Sequence, residues 1–331
     1  MSIEPDWHAL MSRIRVAKGT KPGDTGGMGQ TTLSPRAWGE LFCLGLIWGG
    51  SFLAIRTALD EIGPLTSVLW RTTLAGALLW AVLILRRLPL APPRLWFPLL
   101  IMGLLNNVIP FSLMAWGQLH IPSGLTSILN ASTAIFGICL AGIMFSDEKL
   151  GPRKVIGVTI GFTGVVLTIG PGALWALDIS SLAQLAVIAG AFSYACAGIW
   201  ARSRLGSLPP ISSAAGMLIG ASLIIAPLAL FVEGMPVVRL TLPTWGGIFY
   251  YAVIATALAY LLYYRVLAMA GAGNLMLVTL IIPPIAIGLG AYWRDEQLAG
   301  TSWAGFGFLA LGLIVIDGRL AAILQKYVRS R

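Results

Sequence analysis

Ten stretches of this chain are apolar almost without interruption over the length needed to cross a bilayer: 37–58, 64–85, 95–116, 122–145, 155–170, 182–201, 211–231, 244–267, 274–293 and 301–318. A run of about 17 to 25 such residues makes a membrane-spanning helix. The helix is forced on it, because in hydrocarbon a backbone N–H or C=O must find its partner inside the segment. The runs are continuous rather than alternating with a period of two, which rules out a transmembrane β-barrel. Charged residues are 11% of the chain and the mean hydropathy is +0.84, whereas a soluble domain is about 25% charged. The expected fold is therefore an all-α integral membrane protein of ten transmembrane helices. The fifth and tenth runs are short and call for local thinning or snorkelling flanks. Trp38, Trp96, Trp245 and Trp293 stand near run ends, where headgroup-level anchoring is expected.

The second constraint is internal repetition. Asp147-Glu148-Lys149-Leu150 returns 148 residues later as Asp295-Glu296-Gln297-Leu298, and at the same offset Gly142 falls on Gly290, Gly157 on Gly305, Gly164 on Gly312 and Gly170 on Gly318. One shared offset across sites on both sides of an acidic loop reads as a duplicated unit. The expected division is a polar arm at 1–36, a first five-helix repeat at 37–170, a connecting loop at 171–181, a second repeat at 182–318 and a basic tail at 319–331. The arm is dense in Gly and Thr and has no apolar core of the kind a signal peptide carries, so it is expected to be disordered.

The placement of the cations orients the helices. With the amino terminus in the cytoplasm, eighteen of the 22 Lys and Arg fall in the arm, in the even-numbered loops and in the tail, among them Arg86, Arg87, Arg94, Lys149, Arg153, Lys154, Arg202, Arg204 and Arg265. Arg239 and Arg294 are left outside, and Arg56 and Arg71 lie within runs. This positive-inside bias puts both termini in the cytoplasm, and it explains the net charge of +9 without a nucleic-acid partner. A repeat of five helices then sets its second copy upside down relative to the first. Lys149, Arg153 and Lys154 become Gln297, Thr301 and Ser302 in the copy that faces out. Two inverted five-helix repeats are an architecture of secondary transporters.

Intramembrane cations are functional candidates, costing about 2.5 to 3.5 kcal/mol at a helix centre. Arg71 stands about seven residues into the second run and Arg56 near the outer end of the first. Arg56 has Asp60 one turn away, and both arginines have the length to snorkel to the outer interface. Structural or gating roles are therefore the expectation for Arg56 and Arg71, with direct contact to a substrate as the alternative. Glu40 beside Arg36 and Asp317 beside Arg319 read as interfacial pairs, and no carboxylate stands at mid-depth. The deep polar groups are neutral: Asn106, Asn107, Asn130, Ser132, Thr133, Thr256, Tyr260 and Thr279. Pro110 removes the amide that an α-helix would aim at the Asn106 carbonyl, and Pro283 and Pro284 do the same for Thr279 and Leu280. Carbonyls freed at membrane depth line a cavity or are bonded by a neighbouring helix. Such side chains also serve as packing glue at about 0.6 kcal/mol each, so cavity lining and helix bonding both stay open for each of them. Cys43, Cys139 and Cys196 match no metal-ligand spacing and are expected to pack between helices. No metal and no cofactor is expected.

Leu46-Ile47-Trp48-Gly49-Gly50-Ser51-Phe52, Trp70-Arg71 and the two helix-acid-helix units ending in Glu148 and Glu296 resemble the drug/metabolite transporter superfamily, specifically its EamA-type members. The resemblance spans residues 37–318. It implies inverted repeats of five helices, cytoplasmic termini in the inner membrane, and export of small metabolites through a central cavity. Gly190-Ala191-Phe192-Ser193-Tyr194 is most similar to the amino-acid exporters of the YddG type, which place aromatic residues of the third, fourth and sixth helices near the cavity. Here Tyr194 matches that placement, Trp48 belongs to the motif of the first helix, and the fourth helix reads Ala131-Ser132-Thr133-Ala134. Ile135 stands where the fourth helix of such proteins carries proline, while the ninth keeps Pro283, which leaves bending of the fourth helix open.

These readings converge on a secondary transporter that exports amino acids or related small metabolites by alternating access, with the bilayer as its other partner; the oligomeric state is left open, a monomer included. A drug or nucleotide-sugar carrier of the same superfamily is the alternative within transport. An intramembrane enzyme would need partnered acids, histidines or a nucleophile at depth, and His8 and His120 are the chain's only histidines, in the arm and a loop. A channel fits interrupted helices in inverted repeats less well.

Overall fold

The computed structural model describes residues 34–146, 150–170, 178–275 and 277–317. Asp147, Glu148, Lys149, Gly318 and Arg319 lie outside the described residues, as do nearly all of the leading arm and the tail.

The described residues are helical and hold nine helices long and apolar enough to span a bilayer, with a tenth slightly shorter: α1 Pro35–Ala58, α2 Pro64–Leu85, α3 Pro93–Gly117, α4 Ser123–Met144, α5 Pro152–Ile169, α6 Ile179–Leu205, α7 Pro210–Val232, α8 Leu242–Leu267, α9 Val278–Arg294 and α10 Gly300–Asp317. This is an all-α membrane protein. Successive helices run in opposite directions between two faces, named here by Glu40, near the start of α1, and by Asp60, in the α1–α2 turn. The helix of α8 continues to Leu275, beyond the 267 expected, and α9 starts at Val278 rather than 274. The connection shrinks accordingly, and α9 becomes the short helix.

The strongest helix pairings recur when each helix is exchanged with the one five places along. Helix α1 packs on α8 and α9, as α6 packs on α3 and α4; α2 meets α7 and α8, as α7 meets α2 and α3; α5 pairs with α10. The last pair shows what the repeated glycines do. A methyl on Gly157 would stand 2.7 Å from the Gly312 carbonyl oxygen, and one on Gly312 would stand 2.6 Å from that of Gly157. Gly164 meets the Gly305 carbonyl oxygen at 2.6 Å in the same way. Where lipid tails are as apolar as the side chains, close backbone approach at small residues supplies the packing.

The Asp60 face is held by carboxylates that reach across to helix starts. Glu233, just past α7, accepts from the amides of Leu65 and Thr66 at 2.9 and 2.7 Å, at the start of α2. Glu61 meets the Thr241 amide at 3.0 Å, the Thr241 hydroxyl, and the Thr244 hydroxyl at 2.7 Å, at the start of α8. Glu296 accepts from the Ser123 amide at 2.8 Å and hydroxyl at 2.7 Å, and from the Gly124 amide at 3.4 Å, at the start of α4. Each helix start offers unpaired amides and partial positive charge, and each is met by an acid from the other half of the chain. The repeated acid Glu296 thus finishes a helix of the first half rather than the start of its own. Asp60 adds an ion pair across the same divide, bonding both terminal nitrogens of Arg294 at 2.6 and 2.9 Å while Arg56 joins at 3.2 Å. On the Glu40 face, Glu40 pairs with Arg265 of α8 at 2.6 Å and with Arg36 at 3.2 Å.

Trp38 and Trp293 are exposed, whereas Trp96 and Trp245 are half-buried, Trp96 tilted on Trp80 and Trp245 edge-on to Trp70. Cys43 lies on the exposed side of α1 rather than between helices, because Leu41 and Leu44 take its buried face.

Replacing Glu296 with Ala strands the Ser123 amide and hydroxyl, so melting in detergent is expected to drop by the equivalent of about 1 to 3 kcal/mol. Asp60 and Glu61, both in the α1–α2 turn, are held below their ordinary values of 3.8 and 4.5, Asp60 chiefly by the Arg294 hydrogen bond and Glu61 by the Thr241 hydroxyl. Their contribution is complete above those values and is lost as pH falls through the lower folded ones. A melting temperature that is steady at pH 6 and falls toward pH 3, with a smaller fall in the Asp60→Asn, Glu61→Gln double variant, is the expected profile.

Candidate functional site

The middle of the bundle is shaped by a widened turn in the third helix of each half. In α3 the segment Leu104–Val108 is π-helical, with the Ile109 amide bonding the Leu104 carbonyl five residues back. In α8 the segment Tyr250–Leu258 is π-helical, and it includes 252–256, the positions 148 residues after 104–108. Such segments recur at functional sites. In this register the amide that Pro110 lacks is owed to Leu105, not to Asn106 as an α-helix would have it. The Ser193 hydroxyl of α6 bonds that Leu105 carbonyl at 2.7 Å. In α8 the Thr256 hydroxyl bonds the Tyr251 carbonyl at 2.7 Å, and the Trp48 indole N–H reaches from α1 to the Ala255 carbonyl at 3.1 Å.

Between the two widened turns lies a polar cluster drawn from both halves. Arg71 of α2 is not turned toward the interface, as its length alone allowed. Its Nε–H donates to the Thr256 hydroxyl at 2.9 Å, and its guanidinium lies 3.8 Å above the Phe111 ring. That ring stands edge-on to Tyr194 of α6, centroids 6.2 Å apart. Tyr194, Tyr260 and Tyr251 are close enough to Arg71 to feel its charge. The Asn106 amide donates to the Tyr260 hydroxyl at 3.2 Å and, more weakly, to Asn107 Oδ1 at 3.4 Å. Around this core Tyr260 stacks on Tyr264 at 6.4 Å, and Trp48 tilts on Tyr263 at 5.9 Å. A hydroxyl acceptor and an aromatic face hold Arg71 inward where the interface offers only water.

Of the residues expected at the site, the structure brings together Trp48, Asn106, Asn107, Tyr194, Thr256, Tyr260 and Arg71. Asn130 Oδ1 and Thr133 Oγ1 are buried on α4 with no hydrogen-bond partner among the described residues, and the Ser132 hydroxyl is spent on the Leu129 carbonyl of its own helix at 2.6 Å. Thr279 stands in the first turn of α9 toward the Glu40 face, and Pro283 sits inside that helix. Arg56 belongs to the Asp60 ion pairs. Phe111, Ser193 and Tyr251 were not anticipated; Tyr251 is fully buried, and its hydroxyl accepts from that of Ser67 at 3.2 Å. Phe111 did carry a signal, since it stands four residues after Asn107 and shares its helical face.

The fourth helix breaks without a proline. Its ladder is interrupted at Ala131-Ser132, between Ser123–Asn130 and Thr133–Met144. The Ala131 amide is shared between the Ser127 and Ile128 carbonyls at 3.2 and 3.1 Å, and the hydroxyls of Ser127 and Ser132 bond back to Gly124 and Leu129 at 2.6 Å each. Such back-bonding bends helices. Helix α9 keeps Pro283 and Pro284 within one continuous helix.

Comparison with known proteins decides the family. The model of the EamA-like transporter family matches the chain twice, over residues 37–170 and 181–317. The chain belongs to that family. It is a membrane transporter. Among its relatives, the inner membrane transporter YedA of Escherichia coli K12, named as uncharacterized, is 25% identical over 286 residues, covering 84% of this chain and 90% of YedA. A Salmonella typhimurium LT2 protein named "Probable amino-acid metabolite efflux pump" is 25% identical over 289 residues, covering 82% of this chain and 91% of that protein. A protein of known crystal structure shares the fold with a TM-score of 0.62 over 86% of this chain and 98% of its own, at 17% identity.

The bond from Ser193 to Leu105 stands in for the amide that Pro110 lacks, which a double-mutant cycle reads directly. Ser193→Ala is expected to cost about 1 to 3 kcal/mol by leaving a buried carbonyl unmet. In a Pro110→Ala background, where the helix supplies its own donor, the same change is expected to cost under half as much. Equal losses in both backgrounds would sink the assignment.

Proposed function

We propose that this transporter exports amino acids and related small metabolites from the cytoplasm across the inner membrane by alternating access. The observation that carries this reading is the meeting of Arg71, Asn106 and Phe111 from the first half with Tyr194, Thr256 and Tyr260 from the second. A binding site shared by two halves at mid-span is what a rocking carrier requires. The cations on the Glu40 face support a cytoplasmic placement of that face, and so of both termini. The two halves then stand inverted, with the Asp60 face outside. The similarity to a relative named for amino-acid metabolite efflux supports the substrate class.

Alternating access asks each face to part in turn. The ties that cross between halves are grouped for this: the acids Asp60, Glu61, Glu233 and Glu296 on one face, and Glu40 with Arg265 on the other. The polar cluster lies between them. Interactions made at the faces are lost and remade as the halves rock, while the site itself stays near the middle.

Purified protein in proteoliposomes is expected to show counterflow of a labelled amino acid that saturates with concentration. Asn106→Ala and Tyr260→Phe are each expected to raise the half-saturating concentration at least threefold while the protein melts within a few degrees of the unaltered chain. Non-saturating, uncoupled flux would mark a channel. Accumulation of a labelled nucleotide sugar or drug that amino acids fail to compete with would replace the substrate class.

A further inference from the structure

Arg71 is a cation deep in the bundle with no anion beside it. Among the described residues its neighbours are a threonine hydroxyl, a phenylalanine face and three tyrosines. The carboxylates that form ion pairs there, Glu40 and Asp60, do so with other arginines at the two faces. The sequence has 13 Asp and Glu, and none falls in the middle of a span. The ion is expensive to place, about 2.5 to 3.5 kcal/mol on insertion scales, and no described residue of opposite charge pairs with it.

Its donors are divided in a telling way. A guanidinium carries five N–H groups in a planar fork. Among the described residues only the Nε–H has a protein acceptor, Thr256 Oγ1. The two terminal nitrogens make no hydrogen bond to those residues, and Arg71 is only part-buried. The Thr256 bond fixes the edge of the group and Phe111 fixes its plane. What remains is a rigid, oriented pair of donors, which matches a carboxylate in bidentate fashion.

We propose that Arg71 is the carboxylate anchor of the transport site, and that the site takes small carboxylates whether or not they carry an α-ammonium group. This rests on the exporter reading above and narrows it. Among the described residues of the cluster an amino acid's ammonium finds only neutral groups, the Tyr194 and Tyr260 hydroxyls and the Asn106 side chain. With no carboxylate to reward the ammonium, the site does not depend on it. A 2-oxo acid, which keeps the carboxylate and the side chain but has no amine, satisfies Arg71 equally well. An amide of the same amino acid keeps the amine and loses the anion, so it leaves the cation unbalanced.

The test uses the full chain in proteoliposomes and three matched sets built on alanine, leucine and phenylalanine: each amino acid, its 2-oxo acid and its amide. Labelled amino acid and labelled 2-oxo acid are each offered for counterflow, and each set is competed. In at least one set the amino acid and the 2-oxo acid are expected to compete within tenfold of one another, with the amide at least tenfold weaker. In Arg71→Gln the preference for acid over amide is expected to fall below threefold, and Arg71→Lys, a point charge without the fork, is expected to keep part of it. An amide that competes as well as its acid would overturn the anchor, as would an acid preference that survives Arg71→Gln, or a folded protein that moves no carboxylate of any set. If Arg71→Gln does not fold, the unaltered chain's acid-to-amide ratio decides alone. The two proposals fail separately: 2-oxo acids moving without amino acids would sink the amino-acid reading and leave the anchor standing, whereas amino acids and their amides moving equally would do the reverse.

Discussion

In hydrocarbon there is no water to receive a stray N–H or C=O, and each one left unmet costs several kcal/mol. The internal wiring of this transporter follows from that constraint. Pro110 takes a donor out of α3, the turn widens, and Ser193 of α6 takes over the Leu105 carbonyl. The widened turn of α8 is stitched by the Thr256 hydroxyl from within and by the Trp48 indole from α1. At the bundle's ends the first amides of α2, α4 and α8 are answered by Glu233, Glu296 and Glu61. All of these repairs but the Thr256 bond draw on another element of the bundle, so meeting the backbone's needs and joining the two halves are largely one task.

The polar cluster between the halves grows out of the same economy of partners. Thr256, already committed to the Tyr251 carbonyl, has an oxygen lone pair left for Arg71. Asn106 lies in one widened turn and Thr256 in the other, and the repeated offset puts those turns at matching depths in oppositely directed helices. Both third helices therefore present side chains at mid-span in a register that a regular α-helix would not give. The aromatic groups Phe111, Tyr194 and Tyr260 fill the space between, holding the polar atoms in place without supplying charge.

Much of this was legible in the chain. Ten apolar runs announced the helices, and the shared offset of Glu148 with Glu296 and of Gly157 with Gly305 announced a repeat. Pro110 marked the irregular turn in α3, although only the observed register shows which carbonyl it frees. The widened turn in α8 had no marker, because Tyr250–Leu258 reads as an ordinary apolar and aromatic stretch and its geometry is imposed by its neighbours. The direction taken by Arg71 was equally silent: snorkelling and inward pairing are both open to an arginine at that depth, and the Thr256 hydroxyl that decides between them is 185 residues away. Nothing in the sequence marks Glu233 and Glu61 as caps, since the helix starts they meet are 168 and 180 residues away. A side chain's depth can be read from the run that carries it, but its partner across the bundle cannot.

The carboxylate caps bear on how the chain is built in time. The first amides of α2 are met by Glu233, 168 and 167 residues further on, and those of α4 by Glu296, 173 and 172 residues further on. At a synthesis rate of about 5 to 20 residues per second, that delay is on the order of ten to thirty seconds. During it the first half sits in the bilayer with exposed helix starts, held by water and headgroups at the interface. Completion of α2 and α4 thus waits for the second half, and a chain interrupted before Glu233 would leave both starts open. The early half is a scaffold rather than a finished domain, and assembly is synchronised by the arrival of two acids.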